Sequence, residues 1–274
     1  MHQQPRTWLI TGASRGFGRE FATAALRHGD RVAATARTVD ALADLVESFG
    51  DHVLPVRLDV TDRAAVFDAV AAVHAQFGSL DVVVNNAGYG LFGFVEEASE
   101  EEARQQLETN FFGTLWVTQA ALPLMRAQGS GHIIQLSSFG GIVAVPHFGM
   151  YVASKWAVEG FSDVLAQEVA PFGIHVTLVE PGGYATDWGG KSAVHSTEIP
   201  AYDPIRPSSA EWSGFDPVFA GDALLQVVDA SKPPRRVAFG HGIVKVFERV
   251  YADRINQWRV WEPVSDQPSG TPRR

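Results

Sequence analysis

Apolar runs of strand length alternate with helix-length amphipathic segments along most of the chain, and this alternation limits the fold more than any other feature. Thr7–Thr11, Arg31–Ala36, His52–Leu58, Leu80–Asn85, Gly131–Ser137, Gly173–Glu180 and Arg236–Phe239 read as strands. Gly16–His28, Val39–Phe49, Asp62–Phe77, Asn110–Gln128, Phe148–Ala170 and Pro217–Ala230 read as helices, with Gly29, Gly50 and Gly78 as stop signals. Ser99 with Glu102 has the spacing of a capping box, and a last helix runs to about Trp258. Val82-Val83-Val84 is apolar at successive positions, as a parallel strand covered on both faces requires. The pattern predicts an α/β fold: one doubly wound domain over residues 1–262, with a parallel seven-stranded sheet and right-handed crossovers. Residues 183–215 are irregular and rich in Pro, Ser and Gly, too long for an ordinary loop, and read as a functional flap. The tail 263–274 reads as disordered.

Composition narrows the function. With 46% hydrophobic and 19% charged residues the chain reads as a soluble globular protein. A net charge of −9 argues against nucleic acid as a partner. There is no cysteine, so disulfides, thiolate metal sites and a cysteine nucleophile are excluded. The longest apolar stretches are strand-sized and predict no membrane span. No signal peptide is visible at the start, and the expected location is cytoplasmic. The histidines His28, His74, His147, His175 and His195 lack paired ligand spacing, so no metal site is expected.

The first strand runs into Thr11-Gly12-Ala13-Ser14-Arg15-Gly16-Phe17-Gly18. Three glycines between a strand and a helix allow a tight turn and close backbone approach to a ligand. The helix behind them offers free N–H groups to a pyrophosphate, the logic of dinucleotide binding. The spacing G-x-x-x-G-x-G departs from the general fingerprint, and such a turn can also be a plain turn. An enzyme that uses NAD carries an acid at the tip of the second strand for the ribose. Here the strand ends Thr35-Ala36-Arg37, and Asp30 lies at its other end. Arg37 with Arg15 suits a 2′-phosphate, so NADP(H) is expected over NAD(H), unless both arginines are merely solvated. Asp59-Val60 follows the third strand, where Asp59 either meets an adenine or starts a turn. Asn85-Asn86-Ala87-Gly88 ends the fourth strand, either beside the cofactor or as a simple turn.

Tyr151-Val152-Ala153-Ser154-Lys155 opens the long helix and puts a phenol and an amine one turn apart on one face. A phenol of pKa ~10 is a poor acid–base catalyst near neutrality. A neighbouring ammonium lowers that value and fits Tyr151 for proton exchange with a carbonyl or alcohol oxygen. Ser138, at the carboxyl end of the fifth strand, is placed to bind the same oxygen or is a turn serine. Lysine is scarce in this chain, occurring only at 155, 191, 232 and 245.

From Thr7 to Thr186, and more loosely to Phe239, the chain resembles the short-chain dehydrogenase/reductase family. The resemblance rests on the Thr11–Gly18 turn, Asp59-Val60, Asn85–Gly88, Asn110, Ser138, Tyr151 with Lys155, and Pro181-Gly182 with Thr186, in order. Its nearest branch is similar to 17β-hydroxysteroid and retinol dehydrogenases. The resemblance implies a Rossmann-type fold and hydride transfer between nicotinamide and a carbonyl or alcohol carbon. It implies Tyr151 as general acid/base, Lys155 as its modulator and ribose ligand, Ser138 as orienter of the reacting oxygen, and Asn110 as holder of a relay water. Pro181, Gly182 and Thr186 would seat the nicotinamide carboxamide. Asn110 has no signal apart from the resemblance and otherwise reads as a helix cap.

Phe92, Phe94, Phe139, Val143, Phe148, Tyr184, Trp188 and Trp212, with His147, are candidates for the substrate side. They predict a lipophilic ketone, aldehyde or secondary alcohol, or else they only pack the flap. The resemblance implies a homodimer or homotetramer through the two long helices. Phe111, Phe112, Leu115, Trp116, Phe161, Val164 and Leu165 are the candidate contacts, with burial inside the chain as the alternative. Two other functions stay open: an NADP(H)-binding regulatory protein without turnover, and more remotely a sugar-nucleotide epimerase or dehydratase. The intact Asn110, Ser138, Tyr151 and Lys155 set favours the enzyme.

Overall fold

The computed structural model describes residues 5–186, 190, 192–207 and 214–266. Seven parallel strands form one sheet: β1 Thr7–Ile10, β2 Arg31–Ala36, β3 Val53–Arg57, β4 Val82–Asn85, β6 Gly131–Leu136, β7 Ile174–Pro181 and β9 Arg236–Phe239. Their spatial order is β3-β2-β1-β4-β6-β7-β9. Crossovers run one way from β1 to β3 and the other way from β4 onward. The crevice at the carboxyl ends of β1 and β4 is therefore the switch point at which such sheets bind ligands. All seven strands coincide with those read from the sequence, shifted by a residue or two at their ends.

Alternation along β1 sends successive side chains to opposite faces. Trp8 and Ile10 join Phe21, Val32 and Leu224 beneath α1 (Gly16–His28) and α7 (Val218–Asp229). Leu9 joins Val70, Val117, Ile133 and Leu165 beneath α3 (Arg63–Phe77), α5 (Gly113–Gln128) and α6 (Gly149–Val169). The second predicted helix opens as a 3₁₀ turn, Val39–Leu42, before α2 (Ala43–Phe49).

Two features had no local sequence signal. Strands β5 (Leu91–Phe92) and β8 (Val194–His195) pair in a separate two-stranded sheet that ties the flap to the loop after β4. The helical segment capped at Ser99, α4 (Glu100–Leu107), and the helix expected from Asn110, α5, are not separate but run together through a π turn at Glu108–Phe112. Ser99 and Glu102 do form the predicted capping box. The C-terminal helix α8 (Ile243–Val260) is anchored by the buried Ile243 and Phe247 and is exposed beyond them, and the short, exposed α9 (Glu262–Ser265) overlaps the start of the expected tail. Trp188, Trp212 and residues 267–274 lie outside the described residues.

Candidate active site

The glycine turn is stitched to β4 by two residues. Thr11 N donates to Val84 O (3.0 Å), and Thr11 Oγ1 accepts from Asn86 N and Ala87 N at 2.9 and 3.0 Å. Asn86 Nδ2 reaches back to Thr11 O and Gly12 O at 2.8 and 3.0 Å. Gly12 and Gly16 have φ of +66° and +54°, which side-chain-bearing residues rarely adopt. A Cβ on Gly18 would strike Asn86 Nδ2 and Gly12 O.

Beyond the turn, α1 carries no capping side chain and no acid in its first turn. Its first N–H groups thus lack the usual side-chain partner and suit an anion. A Cβ on Gly16 would lie 3.6 Å from Thr186 Cβ, so Thr186, in the segment after β7, overhangs the same turn, whereas a Cβ on Gly182 would meet Ile243. This cradle of backbone N–H groups and small residues fits a dinucleotide. Arg15 and Arg37 are exposed beside it. Asp30 is engaged at the opposite end of β2, where its carboxylate accepts from Arg6 N, Arg6 Nε and Trp8 Nε1. Asp59 Oδ1 accepts from Thr61 N and Thr61 Oγ1 at 3.0 and 2.8 Å, so Asp59 shapes its own turn, and Val60 is buried.

The second group sits where β6 ends against α6. Tyr151 and Lys155 are both buried. The Ser138 hydroxyl bonds the Tyr151 phenol and accepts from Gly140 N at 3.0 Å. Lys155 Nζ donates to Leu136 O at 2.8 Å and lies 5.8 Å from the Tyr151 ring centre. Asn110 joins them through the π turn, a device common at functional sites. Its Nδ2 donates to Tyr89 O (3.0 Å) and Ser154 Oγ (3.1 Å), and Ser154 Oγ donates to Tyr151 O at 2.7 Å. The fourth-strand turn that ends in Gly88 is thereby tied to the tyrosine helix.

Burial decides the proton affinities here. It pushes the Tyr151 phenol up to about 12, with the Ser138 hydrogen bond pulling the other way. It pushes the Lys155 amine down to about 8, opposed by the charge of Glu159. The expected lowering of the phenol is therefore corrected for the chain alone: loss of hydration dominates, and the opposing pull comes from Ser138 rather than from the Lys155 amine.

The aromatic candidates divide. Phe92 and Phe148 cluster with Tyr151. His147 stands beside them, 6.3 and 5.9 Å from their rings, in a left-handed conformation (φ +73°). Phe94 stacks on Tyr202 at 4.5 Å. Phe139 turns away to Phe247 on α8 (5.7 Å), and Val143 goes with it. Tyr184 packs on Phe17 and Phe215 at 4.8 and 5.7 Å, beside the glycine turn and away from Tyr151. It borders an open cavity of about 760 Å³ between α7 and β9.

The sequence reading missed a buried clasp. The Glu97 side chain is 0% exposed. It accepts from Phe94 N and Ile199 N (each 2.8 Å) and from Arg206 Nη2 and Nη1 (2.5 and 3.1 Å). Arg206 holds the Glu97 carboxyl down at about 2. Glu97 and Arg206 are 109 residues apart, so no local pattern pairs them.

A glycine cradle at the switch point and a buried Ser–Tyr–Lys group beside it define a nicotinamide-dependent α/β oxidoreductase. Residues 6–195 match the profile of the short chain dehydrogenases. The chain is 37% identical over 254 residues to 3-ketodihydrosphingosine reductase of Bacteroides thetaiotaomicron, covering 90% of this chain and 92% of that one. A solved short-chain dehydrogenase from Streptomyces avermitilis superposes with a TM-score of 0.89 at 41% identity, over 97% of this chain and 98% of that one. A short chain dehydrogenase from Burkholderia cenocepacia, solved in complex with NADP, gives 0.75 at 27% identity, over 94% and 98%. The chain belongs to the short-chain dehydrogenase family, and it is an oxidoreductase acting between CH–OH and C=O groups. No described helix is long and apolar enough to cross a membrane.

Proposed function

We propose that the protein transfers hydride between NADP(H) and a lipophilic ketone, aldehyde or secondary alcohol. The observation that carries this reading is the buried contact of Ser138 with Tyr151, one helical turn from Lys155. A bound nicotinamide would supply the hydride to the carbonyl carbon, or take it from the alcohol carbon. The Ser138 and Tyr151 hydroxyls bind the reacting oxygen. In reduction the Tyr151 O–H bond breaks and its proton goes to that oxygen. A phenol held at about 12 is protonated at neutral pH, yet it still yields its proton to an alkoxide, which is the stronger base. Lys155 offsets the negative charge left on the phenolate, and Asn110 holds the Tyr89 loop and Ser154 in register.

For the cofactor, Gly12, Ser14, Gly16, Phe17 and Gly18 receive the pyrophosphate, and Arg15 with Arg37 the 2′-phosphate. Val60, with Asp59 shaping the turn, would border the adenine, Asn86, Ala87 and Gly88 would let the backbone approach the cofactor, and Pro181, Gly182 and Thr186 would seat the carboxamide. The arginines favour NADP(H), and the NADP-bound Burkholderia relative agrees. The apolar cluster of Phe92 and Phe148, with His147 at its rim, supports a lipophilic substrate. The Bacteroides relative, a reductase of a lipid ketone by its name, points the same way.

The test is consumption of NADPH and NADH over a panel of carbonyl compounds. Tyr151→Phe is expected to lower kcat by about 10²–10⁴-fold, and Arg37→Ser to raise the KM for NADPH but not NADH. Normal turnover by Tyr151→Phe refutes the proton donor, and a wild-type preference for NADH refutes the arginine reading.

A further inference from the structure

The end of β6 and the turn after it are gripped residue by residue from α6. Lys155 Nζ donates to Leu136 O at 2.8 Å, Ser137 Oγ donates to Glu159 Oε1, and Ser138 bonds Tyr151. Tyr151, Lys155 and Glu159 follow each other at i, i+4 and i+8, so they share one helix face. Glu159 is only 6% exposed, a burial that a carboxylate tolerates only when paired. Its second oxygen is held by Arg236 of β9. The same guanidinium binds Glu180 Oε1 on β7 (2.9 Å) and Asp163 Oδ2 on α6 (2.6 Å). Three acids thus share one cation beneath the lysine; burial pushes the Glu159 and Glu180 carboxyls up, while the Ser137 hydroxyl and the Arg236 guanidinium pull Glu159 back toward the ionised form. Gly141 closes over it: a Cβ there would stand 2.8 Å from Glu159 Oε1.

Lys155 itself is buried with a backbone carbonyl as its hydrogen-bond acceptor. Burial drives its amine toward the neutral form, and the opposing influence on it is Glu159. The charged groups facing this pair are Asp163 from α6, Glu180 from β7 and Arg236 from β9, with the Tyr151 phenol above. We infer that Glu159 is a positioning residue of the proton-transfer site: its carboxylate holds Lys155 as an ammonium and, through Ser137, docks the Leu136–Ser138 segment on α6. The inference rests on the proposed role of Lys155, since only there does the charge of that amine matter to turnover.

The experiment is a pH titration of the full chain, without cofactor, carrying ¹³Cε-labelled lysine; with lysines only at 155, 191, 232 and 245 the Lys155 resonance is readily assigned. Glu159→Gln keeps the acceptor for Ser137 and removes the charge. It is expected to lower the Lys155 midpoint by about one unit and to move the alkaline fall of kcat by the same amount. Asp163→Asn, which also costs Arg236 a contact, is expected to move the midpoint by less than about 0.3 unit. An unmoved midpoint in Glu159→Gln, or an equal shift in Asp163→Asn, overturns the inference and leaves Glu159 a tie between α6 and β9. A ¹³C-carboxyl titration of the wild-type chain decides the matter even if the Gln variant fails to fold. Glu159 must be ionised at neutral pH, and a protonated carboxyl there overturns the inference. These resonances are read without turnover, so their outcome is independent of whether Tyr151→Phe is active.

Discussion

Replacing Lys155 by methionine is expected to stabilise the folded chain while abolishing turnover. The amine is buried and titrates at about 8, against 10.5 for an ordinary lysine, because burial removes its hydration and Glu159 restores only part of the loss. Each unit of such a shift is worth about 1.4 kcal/mol, so keeping Lys155 protonated costs the fold on the order of 3 kcal/mol at neutral pH. Methionine has a similar length, carries no charge and suits an apolar gap. The variant loses the hydrogen bond from the charged Nζ to Leu136 O, worth about 2 kcal/mol. The net gain is about 1 kcal/mol, or roughly 2–4 °C in Tm for a domain of this size. The sign of the pH dependence follows from the folded value lying below the unfolded one. The cost is full below about pH 8 and fades between there and 10.5, so the advantage of the variant shrinks as the solution becomes alkaline. Denaturant unfolding of both proteins at about pH 6.5 and about pH 10 measures the gap. A variant less stable than wild type at neutral pH, or a gap that widens with alkalinity, refutes the reasoning.

Two further outcomes follow from the described contacts. Arg206→Leu leaves Glu97 buried without its cation and is expected to speed limited proteolysis within residues 196–206 by at least about tenfold; an unchanged cutting rate rejects the clasp. In the wild type the clasp is held above the ordinary carboxylate range and is lost only as pH falls through about 2, because the folded carboxyl titrates below the unfolded one. For assembly, Val164 is 53% exposed on α6 and Phe111, Phe112 and Trp116 are half-buried on the neighbouring π turn and α5. We propose a homodimer or homotetramer through these helices, which Val164→Glu is expected to split; light scattering showing the same mass in both proteins would remove α6 from the contact.

The sheet was legible because its signal is local. Each strand is a short apolar run between turn residues, and Val82-Val83-Val84 announces a strand covered on both faces. Tyr151 and Lys155 were legible for the same reason, since a helical turn places i and i+4 together wherever the helix lies. Long-range pairing leaves no such trace. The two-residue strands β5 and β8 are too short to show alternation, and Glu97 meets Arg206 only because that small sheet brings the flap back. Asn110 looked like a helix cap because a π turn inside a continuous helix cannot be told from a boundary by apolar spacing. The apolar character of Phe139 and Tyr184 suits either the substrate side or packing of the flap and names no partner, and their rings pack on Phe247 and Phe17.

Glu159 shows a subtler limit. Its spacing from Lys155 was in plain view, but an i, i+4 Lys–Glu pair on a helix usually lies on a solvated surface and is worth a few tenths of a kcal/mol. Burial changes its meaning, because away from water the same charges set each other's protonation. The stability measurement on Lys155→Met and the resonance titration of Lys155 then report one proton by two routes. By linkage, the pH at which the stability gap begins to close must equal the midpoint of the folded amine. If the two disagree, some other group titrates in that window, and neither the cost assigned to Lys155 nor its control by Glu159 survives. If they agree and both move together in Glu159→Gln, the carboxylate one turn below the lysine sets the charge at the reacting tyrosine.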